Sequence, residues 1–274
     1  MSIIVSLTST SARLQVLKYT LLSLCNQSLK PDQIILNVSK EGYLIDEGIK
    51  ELPEWLVDLA GGGKVFINWV DNTGPYRKLM PVYNEASNDD WVITCDDDVI
   101  YGEDWLALLV KTAEEHPDAI VCGRARIPVK TIFGGFQSYL NWKVVPLGSV
   151  GYNLLPVGIS GVLYRKFLLD DSVMKSQDFK RLAPKQDDLW FNLARQMAGV
   201  KVAVSTEADK YVFPIEAPCA LSKTNASAKL KSWDSFLGAL WSRFVLKLKA
   251  YLGCSACNND IAIKKLEKYR RKLG

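Results

Sequence analysis

The chain has 274 residues, 48% of them hydrophobic and 23% charged, which allows one large folded domain and excludes global disorder. Its net charge of +4 hides a split: residues 222–274 carry 12 Lys/Arg against 3 Asp/Glu, a net of +9 that leaves −5 for residues 1–221. The single histidine, His116, excludes a Ser-His-Asp triad and a multi-histidine zinc centre.

Taken in order, Ile3-Ile4-Val5-Ser6-Leu7-Thr8 predicts a first strand, and Ser9-Thr10-Ser11 offers an N-cap to a helix from Arg13 to Gln27. Pro31-Asp32 ends that helix, Gln33 to Val38 is a second strand, and Glu47 to Ala60 is a helix interrupted at Pro53. After Gly61-Gly62-Gly63, Val65 to Val70 is a third strand, Tyr76 to Ser87 a helix, and the run from Trp91 a fourth strand that ends in Asp96-Asp97-Asp98, with apolar residues resuming up to Tyr101. Asp104 to His116 is helical, and Ile120 to Arg126 and Pro156 to Tyr164 are strands. Pro184 to Trp190 opens a helix that runs to Met197 and ends at Gly199, and a strand from Val200 to Val204 follows. Strands and helices that alternate in this way predict an α/β fold with a mostly parallel sheet, whose ligands bind beyond the carboxyl ends of the strands. Thr8, Asn37, Asp71 and Asp96 to Asp98 lie at those ends.

Three stretches carry chemistry. Asp96-Asp97-Asp98 ends an apolar strand with adjacent like charges, which are costly to bury unless a cation compensates. It is either an acidic turn or a site for a hard cation such as Mg²⁺ or Mn²⁺. Gly74-Pro75-Tyr76-Arg77-Lys78 puts two cations near a helix start, as a solvated face or as partners for a diphosphate. Asp187-Asp188 opens a helix, as cap and dipole partners or as a second carboxylate site.

Together these residues resemble a GT-A glycosyltransferase. The strand and acidic triplet from Val92 to Ile100 are similar to the DXD motif of nucleotide-sugar transferases. Asp187-Asp188 with its helix and Gly199 resembles the acidic pair of family 2 and equally that of the exostosin-like (family 64) transferases. The likeness spans about residues 1–215. It implies a GT-A (Rossmann-like) domain over 1–221, with 222–274 as a helical basic C-terminal extension. It implies a divalent metal on Asp98 and Asp96, with Asp96 also on the ribose. Thr8, Arg13, Asn37, Arg77, Lys78 and Asp97 would lie near the donor, a UDP-sugar. Asp188 would be the catalytic aspartate, with Asp187 beside it, acting as a base if the enzyme inverts or as a stabiliser of the cationic sugar if it retains. The implied reaction is hexosyl or N-acetylhexosaminyl transfer to a saccharide acceptor, in surface-polysaccharide or lipid-linked glycan synthesis. Two features depart from the pattern: no late histidine is available as a metal ligand, and the QxxRW signature of processive synthases is missing. A sugar-nucleotidyltransferase would carry a Gly-rich loop where Ser6 to Arg13 has none, and a non-catalytic carbohydrate- or membrane-binding module would not need two carboxylate sites.

In the tail, Trp233, Phe236, Leu237, Leu240, Trp241, Phe244, Leu248 and Tyr251 recur at helical spacing. Such a face packs on the domain or, helped by the basic run Lys264 to Lys272, lies on an anionic membrane. Cys254-Ser-Ala-Cys257 is a lone CxxC, weak evidence for zinc or redox work. Scattered cysteines in apolar contexts and no basic run before Ile3 predict a cytoplasmic protein, peripheral on the membrane if the tail docks there.

Overall fold

The computed structural model describes residues 1–215 and 247–274. Its centre is an eight-stranded sheet with β1 (Ile3–Thr8), β2 (Gln33–Val38), β3 (Val65–Trp69) and β4 (Trp91–Thr94) all parallel, in the order β3-β2-β1-β4. Side chains alternate across these strands, so Ile4 and Val92 enter one apolar cluster while Val5 and Ile93 enter another on the opposite face. α1 (Leu14–Cys25), α2 (Glu54–Gly61) and α4 (Trp105–Glu115) cover the second face, α1 through the helically spaced Leu17, Leu21 and Leu24. On the first face lie α3 (Met80–Glu85), α5 (Asp171–Lys175), α6 (Phe179–Leu182) and α7 (Asp187–Met197). A sheet buried on both faces is what near-continuous apolar strands dictate.

Several expected elements are divided where the chemistry changes. The strand from Trp91 ends at the acidic cluster as expected, β4 stopping at Thr94, and the apolar residues beyond the cluster form β5 (Val99–Tyr101), which pairs with β13 (Val212–Pro214) in a separate ribbon. Asp96 to Asp98 form the turn between them, off the pleat, where carboxylates can reach cationic partners. The helix expected from Glu47 starts only at Glu54 after Pro53, and that expected from Tyr76 is a 3₁₀ turn, Gly74–Lys78, followed by α3 with Pro81 in its first turn. Ile120 to Arg126 divides into β6 (Ala119–Cys122) and β7 (Ala125–Ile127). β8 (Lys143–Val144) pairs with β7, and β9 (Val150–Gly151) lies at the sheet edge. The strand expected from Pro156 to Tyr164 divides into β10 (Leu155–Pro156), a 3₁₀ turn at Gly158–Ser160, and β11 (Val162–Tyr164). Gly161 turns the chain at φ +83°, where a Cβ would meet the Trp105 ring at 2.3 Å. β11 then runs antiparallel between β4 and β6, and β12 (Lys201–Val204) is parallel to β6. β11 thereby joins the two parallel halves of the sheet.

The C-terminal helix α8 (Asn258–Leu273) docks on the domain. Ala262, Ile263 and Leu266 are buried in the cluster that holds α7, and Tyr269 stacks on Trp190 with ring centroids 5.8 Å apart. Asp260 caps the helix start by accepting the Cys257 backbone N–H at 3.1 Å, and it also accepts from Ser138 Oγ and the Tyr139 N–H, each at 2.7 Å. Cys254 and Cys257 are unbridged, and Cys257 stands at the N-cap of α8. Most of the apolar face expected from Trp233 to Tyr251, and the 221/222 boundary, lie outside the described residues. No helix among those described is long and apolar enough to cross a membrane.

Candidate active site

The carboxyl ends of β1 and β4, the 3₁₀ turn Gly74–Lys78 and the start of α7 enclose a cavity of about 370 Å³. Six aspartates line it (Asp46, Asp96, Asp97, Asp98, Asp187 and Asp188), and so do six cationic side chains. Lys78 stands at its centre. Its ammonium lies 3.1 Å from Asp96 Oδ1, 2.8 Å from Asp187 Oδ2 and 3.8 Å from Asp188 Oδ1. Two acidic motifs some ninety residues apart thus share one cation. Such a group of charges can be buried only because Lys78 offsets the carboxylates' mutual repulsion. In return they raise the Lys78 pKa well above the ordinary lysine value, against the lowering effect of its burial.

Arg13 plays the same part for the other carboxylates. It lies 3.0 Å from Asp97 Oδ1 and also pairs with Asp98, while Ser9 Oγ donates to Asp97 Oδ2 at 2.5 Å. Burial nevertheless pushes Asp97 up to about 6, with Arg13 opposing, and raises Asp98 as well. Arg77 is fully buried, donating to Asp46 Oδ2 at 2.9 Å and to the Ser9 carbonyl at 3.1 Å. It ties the loop after β1 to the Gly74–Lys78 turn, and its Nη1 is buried without a hydrogen-bond partner among the described residues.

Asp188 keeps about a third of its side chain open to the cavity. Burial pushes its carboxyl up to about 7, Lys78 opposing and Asp187 adding to the rise. The Gly158 N–H donates to its Oδ2 at 3.0 Å and fixes its direction. A Cβ on Gly158 would come within 2.8 Å of both Asp188 Oδ1 and Lys78 Nζ, so any other residue there would push these two groups from their places. Asp187 is buried at the bridge to Lys78, and burial raises its pKa too.

Of the residues singled out in the sequence, Thr8, Arg13, Arg77, Lys78, Asp96, Asp97, Asp98, Asp187 and Asp188 line this one cavity. Asn37 does not: it is buried in the sheet, donating to Ser6 Oγ at 3.0 Å and accepting from Asn68 Nδ2 at 2.9 Å. Asp71 is exposed outside the cavity. Asp46, Arg124, Arg126, Tyr139 and Asn259 also line the cavity and were not singled out, because in the sequence they look like ordinary polar residues of loops, of β7, of a 3₁₀ turn and of α8.

No three His, Cys, Asp or Glu side chains among the described residues form a group able to hold a metal by themselves. The donor set is nevertheless all hard oxygen, and Asp96 keeps about a third of its side chain open to the cavity. Such a set fits Mg²⁺ or Mn²⁺ held by one or two carboxylates together with substrate phosphates.

Comparison with known proteins agrees with this architecture. Among solved structures, residues 1–349 of S. aureus TarS superpose with a TM-score of 0.50 at 15% identity, covering 78% of this chain and 60% of that one. The same fragment crystallised with UDP-GlcNAc gives a TM-score of 0.51 at 14% identity over 83% of this chain and 62% of that one. At such identities the likeness is one of fold, and the chain spans about 60% of the length of these neighbours. Among curated proteins no relative matches. The family described as Glycosyl transferase family 2 matches residues 2–175, which takes in β1 to β4, the acidic turn and β11. With that match over most of the chain and a GT-A sheet beneath it, this protein belongs to glycosyltransferase family 2.

Proposed function

We propose that the protein transfers a sugar from a UDP-linked donor to a saccharide acceptor, a hexosyl or N-acetylhexosaminyl transfer, with Asp188 as general base. The observation that carries this reading is the Lys78 bridge, which holds Asp96 of the first motif and Asp187 and Asp188 of the second around one cavity. Family membership supports a nucleotide-sugar donor, and the TarS fragment crystallised with UDP-GlcNAc makes UDP the first nucleotide to test.

Asp188 suits a base on three counts: it is open to the cavity, aimed by the Gly158 N–H, and held near neutrality at about 7. It takes the proton of the acceptor hydroxyl as that oxygen attacks the anomeric carbon. The bond from that carbon to the diphosphate breaks, and its electron pair leaves with the nucleotide. Such a single displacement inverts the anomeric carbon. Lys78 pairs with Asp187 beside Asp188, and Arg13 keeps the acidic turn in place. Asp96 and Asp98 are the residues that would hold a divalent ion, which when bound supplies Lewis-acid stabilisation of the departing diphosphate.

Thermal shift with a panel of nucleoside diphosphates, with and without Mn²⁺, tests the donor. UDP with Mn²⁺ is expected to raise the Tm, since a ligand that binds only the folded state stabilises it by mass action. Asp188→Asn should bind UDP as the wild type does and turn over about 10²–10⁴-fold more slowly. Absence of a shift with every nucleotide, or wild-type turnover in the variant, overturns the assignment.

A further inference from the structure

Away from the active site, a groove of about 760 Å³ runs between the segment 131–137 and α8. One wall is a tight turn in which the Thr131 N–H donates to the Gly135 carbonyl at 2.7 Å and the Gly134 N–H to the Thr131 carbonyl at 3.1 Å. Its tip presents Ile132 and Phe133, 91% and 79% exposed. The turn is firmly mounted on the C-terminal segment, for the Ser138 N–H donates to the Ala250 carbonyl at 2.9 Å. Gly253 comes so close that a Cβ would lie 2.5 Å from the Phe136 carbonyl oxygen.

The other wall is cationic. Lys264, Lys268, Arg271 and Lys272 follow one another at helical spacing along α8, all exposed and all lining the groove. The carboxylates nearby are already engaged: Glu267 pairs with Arg270 at 3.3 Å, and Asp260 is buried in its cap. Leu248, Tyr251 and Leu252 add exposed apolar surface just before the helix.

We propose that this face docks on an anionic phospholipid bilayer, with Ile132 and Phe133 entering the headgroup–acyl boundary and the α8 cations lying on the phosphates. Paired apolar and basic surface on one side of a rigid element is what interfacial binding requires, since neither attraction alone is strong. Charge decides against a second copy of the chain as occupant, because a two-fold contact across this face would set the α8 cations against one another. The sequence leading into α8 continues the theme with Lys229, Lys231, Trp233 and Trp241. Docking stands independently of the transferase reading, but where both hold it makes a lipid-carried saccharide the acceptor class.

The test is co-sedimentation of the full chain with phosphatidylcholine vesicles, with and without phosphatidylglycerol. Binding is expected only to the anionic vesicles, and added salt should weaken it. Ile132→Glu/Phe133→Glu should lose binding. Lys264→Glu/Lys268→Glu/Arg271→Glu should weaken it more than about 100-fold, at roughly fivefold for each cation removed. All these side chains are exposed, so the Tm and its shift with UDP should stay at wild-type values in both variants. Failure to sediment, equal binding to neutral vesicles, or wild-type binding by either variant overturns the proposal. So does a concentration-dependent dimer in velocity sedimentation that the Ile132/Phe133 variant abolishes. A missing UDP shift in the wild type would count against the transferase reading alone.

Discussion

The cavity and α8 are both crowded with charge, yet they treat it in opposite ways. In the cavity Lys78, Arg13 and Arg77 are buried and each meets carboxylates within about 3 Å. On α8 the groove-lining cations are exposed, and no ion pair joins them to a carboxylate among the described residues. A buried charge must find its partner inside the fold, because leaving water costs several kcal/mol per ion, on the order of the whole stability of a domain. An exposed charge has no such obligation and remains available to something outside. The first kind of charge therefore bears on stability and chemistry, the second on association.

Lys78→Met should have the largest effect on stability. It leaves Asp96, Asp187 and Asp188 without their shared cation, and breaking a buried pair costs about 3–5 kcal/mol. The loss should grow as pH rises, because the Asp187 and Asp188 carboxyls, whose folded pKa is raised, destabilise the fold once they are forced to ionise. Urea unfolding at pH 5 and pH 8 measures it. A variant as stable as the wild type at both values would show that the buried carboxylates do not depend on Lys78.

The pH profile comes next. With Asp188 held at about 7, turnover should fall about tenfold per pH unit below that value, while UDP binding varies less. The same shift has a sign for stability. A folded pKa above the unfolded one gives stability that is present at low pH and lost as pH rises through the folded value. Asp188→Asn should therefore raise the Tm relative to wild type more at pH 7.5 than at pH 5. A difference of the opposite sign would mean that Asp188 ionises easily and is no neutral-pH base.

Tyr269→Ala removes the ring stacked on Trp190, two residues beyond Asp188. A loss of about 1 kcal/mol or somewhat more is expected from the aromatic contact. If unfolding is unchanged, α8 is not fastened to α7 through this pair. Smallest of all is Lys268→Ala, expected within about 0.5 kcal/mol of wild type because its side chain is exposed. A large loss there would show that the exposed cations are structural after all.

Much of this was legible in the sequence, and the reason is local. Ile3 to Thr8 and Gln33 to Val38 are strands because β-branched and apolar residues occupy both faces, and the turns between elements are marked by Pro31, Pro53 and the Gly61 to Gly63 run. The acidic triplet and the Asp187–Asp188 pair stood out because clustered like charges in apolar surroundings need an explanation in any fold. What a single stretch could not contain was decided by packing. Asn37 has the right position at a strand end, but its amide is taken by Ser6 and Asn68 across the sheet. The run from Trp91 to Tyr101 breaks at the triplet because the carboxylates must leave the sheet to meet Arg13 and Lys78. Sequence alone determined which residues carry the charge; only the tertiary structure chose Lys78 as the cation that joins the two acidic motifs, because that pairing depends on distances between segments the chain brings together only on folding.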